Sequence, residues 1–155
     1  MQRKKEEKTV ELLRELEKTG GNPNAFRRFA RKHENDLTYS SLRDYFNAWL
    51  AAHRELSQTQ IARTCGLSES YAHELLRGDK KNPGKYPVVQ LCIAAHMDLE
   101  ATNRALEIAQ TGILYPKIPV DQAIIYCINS GYRSVMEVVG FMEDNGLGSP
   151  FLVKD

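Results

Sequence analysis

The chain has 155 residues, 42% of them hydrophobic, with 21 Lys and Arg against 20 Asp and Glu. That length fits one compact domain or a core domain with helical extensions, and that composition excludes wholesale disorder. A formal net charge of +1 excludes a global basic field, so a nucleic-acid partner would have to be met by a local surface.

Glu6 to Lys18 sets Val10, Leu13 and Leu16 on one side of an amphipathic helix, which ends at Gly20-Gly21 and Pro23. Asn24 to Lys32 offers another turn or two of helix carrying Phe26, Phe29 and Ala30, and His33 to Leu37 reads as a polar connection. Residues 1–55 hold 12 cations against 9 anions. The positive excess therefore collects in the amino-terminal arm, chiefly at Arg27, Arg28, Arg31 and Lys32. No apolar signal region follows the opening MQRKKEEK, and no run approaches the about 18 apolar residues needed to span a bilayer. Cys65, Cys92 and Cys127 lie far apart, without metal-ligand spacing, and read as small buried hydrophobes. These features point to a soluble protein in a reducing, cytoplasmic setting, without structural zinc or any other cofactor.

Ser41 and Asp44 offer a capping box for a helix from Leu42 to about Glu55, with Leu42, Tyr45, Phe46, Trp49 and Leu50 as its core stripe. Ser57 and Gln60 repeat the capping pattern for a short helix whose inner face is Ile61 and Ala62. Gly66 then permits a sharp turn, because glycine takes positive φ without steric cost. Leu67 plugs the turn, Ser68 caps a second helix, and Ala72, Leu75 and Leu76 form its buried side. The spacing predicts helices at about 57–65 and 68–77. Two short helices around a glycine turn make a helix-turn-helix, whose second helix can enter the DNA major groove. A polar loop from Asp79 to Gly84 follows, then helices at Val88 to Ala95 and, capped by Asp98, at Leu99 to Ala109. After a break at Gly112, Pro116 and Pro119, the apolar segments Val120 to Asn129 and Ser134 to Asn145 complete an all-α chain.

The features Gln58, Ala62, Gly66, Ser68, Arg77-Gly78 and Lys80-Lys81-Asn82-Pro83, followed by the two later helices, resemble the helix-turn-helix of the phage λ repressor and Cro family. The likeness covers about a third of the chain, and the flanks resemble small bacterial helix-turn-helix proteins of unassigned role. The resemblance implies a five-helix repressor-type domain at residues 41–110, beginning with the helix that carries Trp49. An amino-terminal helical arm occupies residues 1–40, and a carboxy-terminal helical extension, packed on the domain, occupies residues 111–155. It also implies that Gln58 anchors the DNA backbone, where a side-chain amide beside unpaired N–H groups is well placed to meet a phosphate. Lys80, Lys81, Asn82 and Lys85 stand where the family often holds that backbone.

Base readout would fall to Glu69, Ser70, Tyr71, His73 and Glu74 on the outward side of the second helix. The expected function is transcriptional regulation through duplex DNA. The second reading is a protein-interaction adaptor on the same scaffold. It draws on the six cations and 6 anions that balance residues 56–110, and on the absence of arginine or asparagine between Glu69 and Leu76. Val120 to Asn145 offers either a cover for the core or a homodimer surface, which would suit two half-sites one helical turn apart. His33, His53, His73 and His96 are scattered, and no phosphate loop or nucleophile motif occurs, so an enzyme is not expected.

Overall fold

The computed structural model describes residues 2–33, 41–80 and 82–153. Every regular element among these residues is a helix. In chain order they are α1 (Gln2–Lys18), α2 (Pro23–Lys32), α3 (Leu42–Ala52), α4 (Gln58–Thr64), α5 (Glu69–Arg77), α6 (Lys85–Ala94), α7 (Leu99–Ile108), α8 (Pro119–Asn129) and α9 (Val135–Asp144). No described helix is long and apolar enough to cross a membrane. The chain divides into two compact units, residues 1–38 and 39–155.

The first unit is a helical hairpin of α1 and α2. Asn22 caps α2 by accepting from the N–H groups of Asn24 and Ala25 at 3.1 Å, and Pro23 sits in the first turn, where its missing N–H costs nothing. The two helices are tied by His33, itself buried, whose Nε2 lies 2.7 Å from Glu15 Oε2. This hydrogen bond holds the Glu15 carboxyl below its ordinary range, with the His33 and Lys32 charges adding to the effect against a smaller opposing effect of burial. The stripe Val10, Leu13 and Leu16 is amphipathic in pattern, yet all three side chains are exposed.

In the second unit α6 is the central element. Every residue from Val88 to Ala94 is buried, as expected of a helix that is apolar on all sides. It packs against α4, α7 and α9, while α3 packs on α5 and α7, and α8 lies against α7 and α9. Core positions such as Phe46, Ile61, Leu91, Leu106, Ile124 and Met142 are almost fully buried, each contributing about 1.5–3 kcal/mol by removal from water. Two polar bonds anchor α3 to the α6–α7 corner. Trp49 Nε1 donates to the Ala95 carbonyl at 2.9 Å, and the Tyr45 hydroxyl to the Ala101 carbonyl at 2.8 Å. Trp49 is half-buried, and its ring stacks on His53 at 4.0 Å.

Two buried polar residues pin distant segments together. Asp121, in the first turn of α8, accepts from Lys85 Nζ at 2.8 Å, the Tyr86 hydroxyl at 2.9 Å and the Tyr115 N–H at 2.9 Å. Burial pushes its carboxyl up, but the three donors and the Lys85 charge outweigh it and hold the group below its ordinary value. Burial and the adjacent carboxylate raise the Tyr86 phenol to about 12. Gln90, fully buried in α6, binds the segment that follows α9. Its Nε2 donates to the Cys65 carbonyl at 2.9 Å and to the Leu152 carbonyl at 2.6 Å, and its Oε1 accepts the Leu152 N–H at 3.0 Å. Phe151 beside it is buried against the core.

Candidate nucleic-acid interface

The α4–α5 pair is built by local bonds. Ser57 Oγ accepts the Gln60 N–H at 3.1 Å, and Ser68 Oγ accepts the Tyr71 N–H at 3.2 Å, each cap contributing about 1 kcal/mol. Between them Gly66 takes φ +82, and a Cβ there would lie 3.2 Å from Gln90 Nε2 and 3.3 Å from Val135 Cγ1. Glycine is therefore required twice, by backbone conformation and by crowding. Gly78, at φ +78, ends α5 with its N–H directed at the Glu74 and Leu75 carbonyls.

Ala72, Leu75 and Leu76 face the core. Glu69 and Ser70 are exposed, while Tyr71, His73 and Glu74 are half-buried. Gln58 Nε2 lies 3.0 Å from His73 Nδ1, which links the first turn of α4 to the middle of α5. That contact occupies part of the Gln58 amide.

A cleft of ≈ 350 Å³ opens beside this pair, lined by Arg43, Asn47, Gln58, Leu76, Arg77 and Asp79. Leu76 forms its floor and is buried. Arg43 and Asn47 stand one turn apart on α3, away from the stripe of Leu42 and Phe46. They are absent from the residues expected on sequence grounds. Their only local signal is an i, i+4 polar pair on a helix, and which partner that face meets depends on how α3 packs on α5.

The cations are not equally available. Arg77 is exposed and paired with Asp79 at 3.1 Å, Arg63 approaches Glu69 at 3.8 Å, and Lys80 lies 5.9 Å from the Tyr71 ring centroid. Such exposed pairs hold by about 1 kcal/mol or less and yield readily to a phosphate. Lys85 is a correction to the sequence reading. Its ammonium is largely buried against Asp121 and flanked by the Tyr86 and Tyr115 rings at 5.6 and 5.4 Å. Pulling it out to a phosphate would strand a buried carboxylate, which sets Lys85 apart from the exposed cations. Asn82 is exposed with φ +55, a conformation that asparagine tolerates better than most residues. Lys81 lies outside the described residues. The described face thus mixes Arg43, Arg77 and Lys80 with Glu69, Glu74 and Asp79.

The titratable groups elsewhere are dispersed. His53 Nδ1 lies 2.9 Å from the Trp49 carbonyl, and burial, with Arg133 adding to it and Glu55 opposing, lowers His96. Burial pushes all three cysteine thiols up, Cys127 to about 11, the opposite of an activated thiol. Among the described residues no group of three His, Cys, Asp or Glu side chains is placed to hold a metal ion. Comparison of the chain with protein-family models, curated proteins and solved structures finds no match.

Proposed function

We propose that this protein is a DNA-binding regulator whose reading element is the α4–Gly66–α5 helix-turn-helix. On this reading α3 to α7 form a five-helix domain of the λ repressor and Cro type. The observation that carries it is the α5 surface itself. Ser68 caps that helix, its apolar side is buried in the core, and Glu69 and Ser70 are exposed, with a cleft bearing Arg43, Gln58 and Arg77 beside the same helix pair and Lys80 over the Tyr71 ring. Gln58, Arg43, Arg77 and Lys80 hold the phosphate backbone, and Ser70, Tyr71, His73 and the two glutamates meet base edges. Asn82, exposed after α5, adds to the backbone contacts. The stacked Tyr126 and Phe141 rings on α8 and α9, 4.8 Å apart, offer the surface for a homodimer that would address two half-sites. Neither catalysis nor a cofactor enters this reading.

The test is retardation of random genomic duplex and of the gene's own upstream region at low salt. Retardation at micromolar protein is expected; its absence from both would sink the reading. The second reading, an adaptor that uses the same face on a protein, is favoured by one observation: Glu69, Glu74 and Asp79 interleave with the cations and lower the local potential.

A further inference from the structure

We infer that α2 carries a phosphate-binding face of its own, whose ligand is the phosphodiester backbone of a nucleic acid, taken without regard to sequence. Arg27, Arg28, Arg31 and Lys32 fall within one and a half turns of a helix that contains no acidic residue. Together with Asn24 they line a groove of ≈ 500 Å³ along the first unit. Asn24 Oδ1 accepts from Arg27 Nη1 at 2.8 Å and fixes that guanidinium, and Lys32 lies 3.5 Å from Glu15 Oε2. Among the described residues neither Arg28 nor Arg31 has an ion-pair partner, and these two guanidinium groups share one face of α2 with Arg27. Such an arrangement is held against mutual repulsion and gains most from an anionic ligand.

The chemistry of the groove favours phosphodiester over a lipid surface. A membrane-bound helix must present its apolar side to the acyl chains. That side of α2 is partly spent on α1, because Ala25 and Phe29 are half-buried in a crevice lined also by Glu15, Lys18, Thr19, Arg28 and Lys32, and His33 is bonded to Glu15, which leaves Phe26 as the one large apolar side chain exposed on α2. Among the described residues Arg28 and Arg31 carry no ion pair. Guanidinium forks pair bidentately with phosphate oxygens. From Arg27 to Lys32 the helix rises about 7.5 Å, which matches about two to three phosphates at about 3.4 Å of duplex axis each. The face lies on a different unit from the helix-turn-helix and does not depend on that reading.

The test uses the full chain and two labelled probes, a random duplex DNA and a random single-stranded RNA, titrated by anisotropy over a range of salt. The triple variant R27Q/R28Q/R31Q is expected to flatten the log–log salt slope on duplex by about 2.7 units, at about 0.9 for each lost contact. Raising salt from about 50 to about 200 mM would then cost the wild type roughly 40-fold more affinity than the variant. R27K/R28K/R31K should keep the slope. R28Q/R31Q, which leaves the Asn24–Arg27 bond intact, should lose about 1.8 units, and it serves if the triple variant loses helix by circular dichroism. The RNA arm tells which nucleic acid the face prefers, and a drop in slope on either probe supports the inference. Unchanged slopes on both probes overturn it. So does an effect confined to co-sedimentation with phosphatidylserine vesicles, which would make the partner a membrane surface.

Discussion

Gln90 grips the backbone of Leu152 on both sides, accepting its N–H at 3.0 Å and donating to its carbonyl at 2.6 Å. The same amide nitrogen also reaches the Cys65 carbonyl, at the start of the α4–α5 turn. One buried side chain therefore substitutes for a stretch of sheet pairing, and it satisfies polar groups from segments 25 and 62 residues away.

Replacing Gln90 by methionine keeps the length of the side chain and removes all three bonds. Each buried polar group left unsatisfied costs about 1–3 kcal/mol, so a loss of about 3 kcal/mol is expected. Urea unfolding measures it. Hydrogen exchange at the Leu152 amide should lose its protection in the same variant, which a general loosening of the core would not single out.

Gly66→Ala should destabilise by about 2 kcal/mol, since the left-handed conformation alone costs about 1–2 and the new methyl crowds Gln90 and Val135. Gly131, also at positive φ but with open space around its Cβ position, is the control. Gly131→Ala should cost only the conformational part. Equal losses in thermal or urea unfolding would show that the crowding at Gly66 relaxes freely.

Asp121 gives a pH signature. Its folded carboxyl lies below the ordinary value, so its contribution is complete above about pH 4 and is lost as pH falls through the folded value. Asp121→Asn should be less stable by about 3 kcal/mol at neutral pH, because Lys85 loses its buried counter-charge. The gap between wild type and variant should narrow on acidification, read from urea midpoints at neutral pH and near about pH 2. A gap independent of pH would assign the loss to packing alone.

On duplex DNA, Arg43→Ala with Lys80→Ala should flatten the salt slope by about 1.8 units and weaken all sequences alike. Glu69→Gln with Glu74→Gln should tighten non-specific binding by removing charge that repels phosphate. Lys85→Met should leave the slope unchanged while lowering stability. Anisotropy titrations over salt separate the three. A flattened slope for the Lys85 variant would return that lysine to the interface.

What the sequence made legible was local. The Ser41, Ser57, Ser68 and Asp98 caps are bonds spanning three residues, and the turn at Gly66 is marked by the positive φ of a single residue, so residue type and spacing suffice to find them. The helices of the second unit follow from apolar periods on the same scale. Lys85 shows where that reasoning ends. Its place just after a lysine-bearing loop suggests a solvated cation, whereas its partner lies 36 residues further on and no periodic pattern announces it. Arg43 and Asn47 were hidden for the same reason. They become part of a site only through the packing of α3 on α5.

The grip of Gln90 on Leu152 also limits how freely this helix-turn-helix can be exchanged between proteins. A graft of residues 41–110 would carry Gln90 without Leu152, and Gly66 without the Val135 methyl that backs it. The turn that aims α5 would lose its buttress while keeping every residue of its own motif. Any exchange of α4 and α5 would therefore have to move the distant tail with them, and substitutions at Phe151, whose side chain is buried beside this grip, would be felt at the turn.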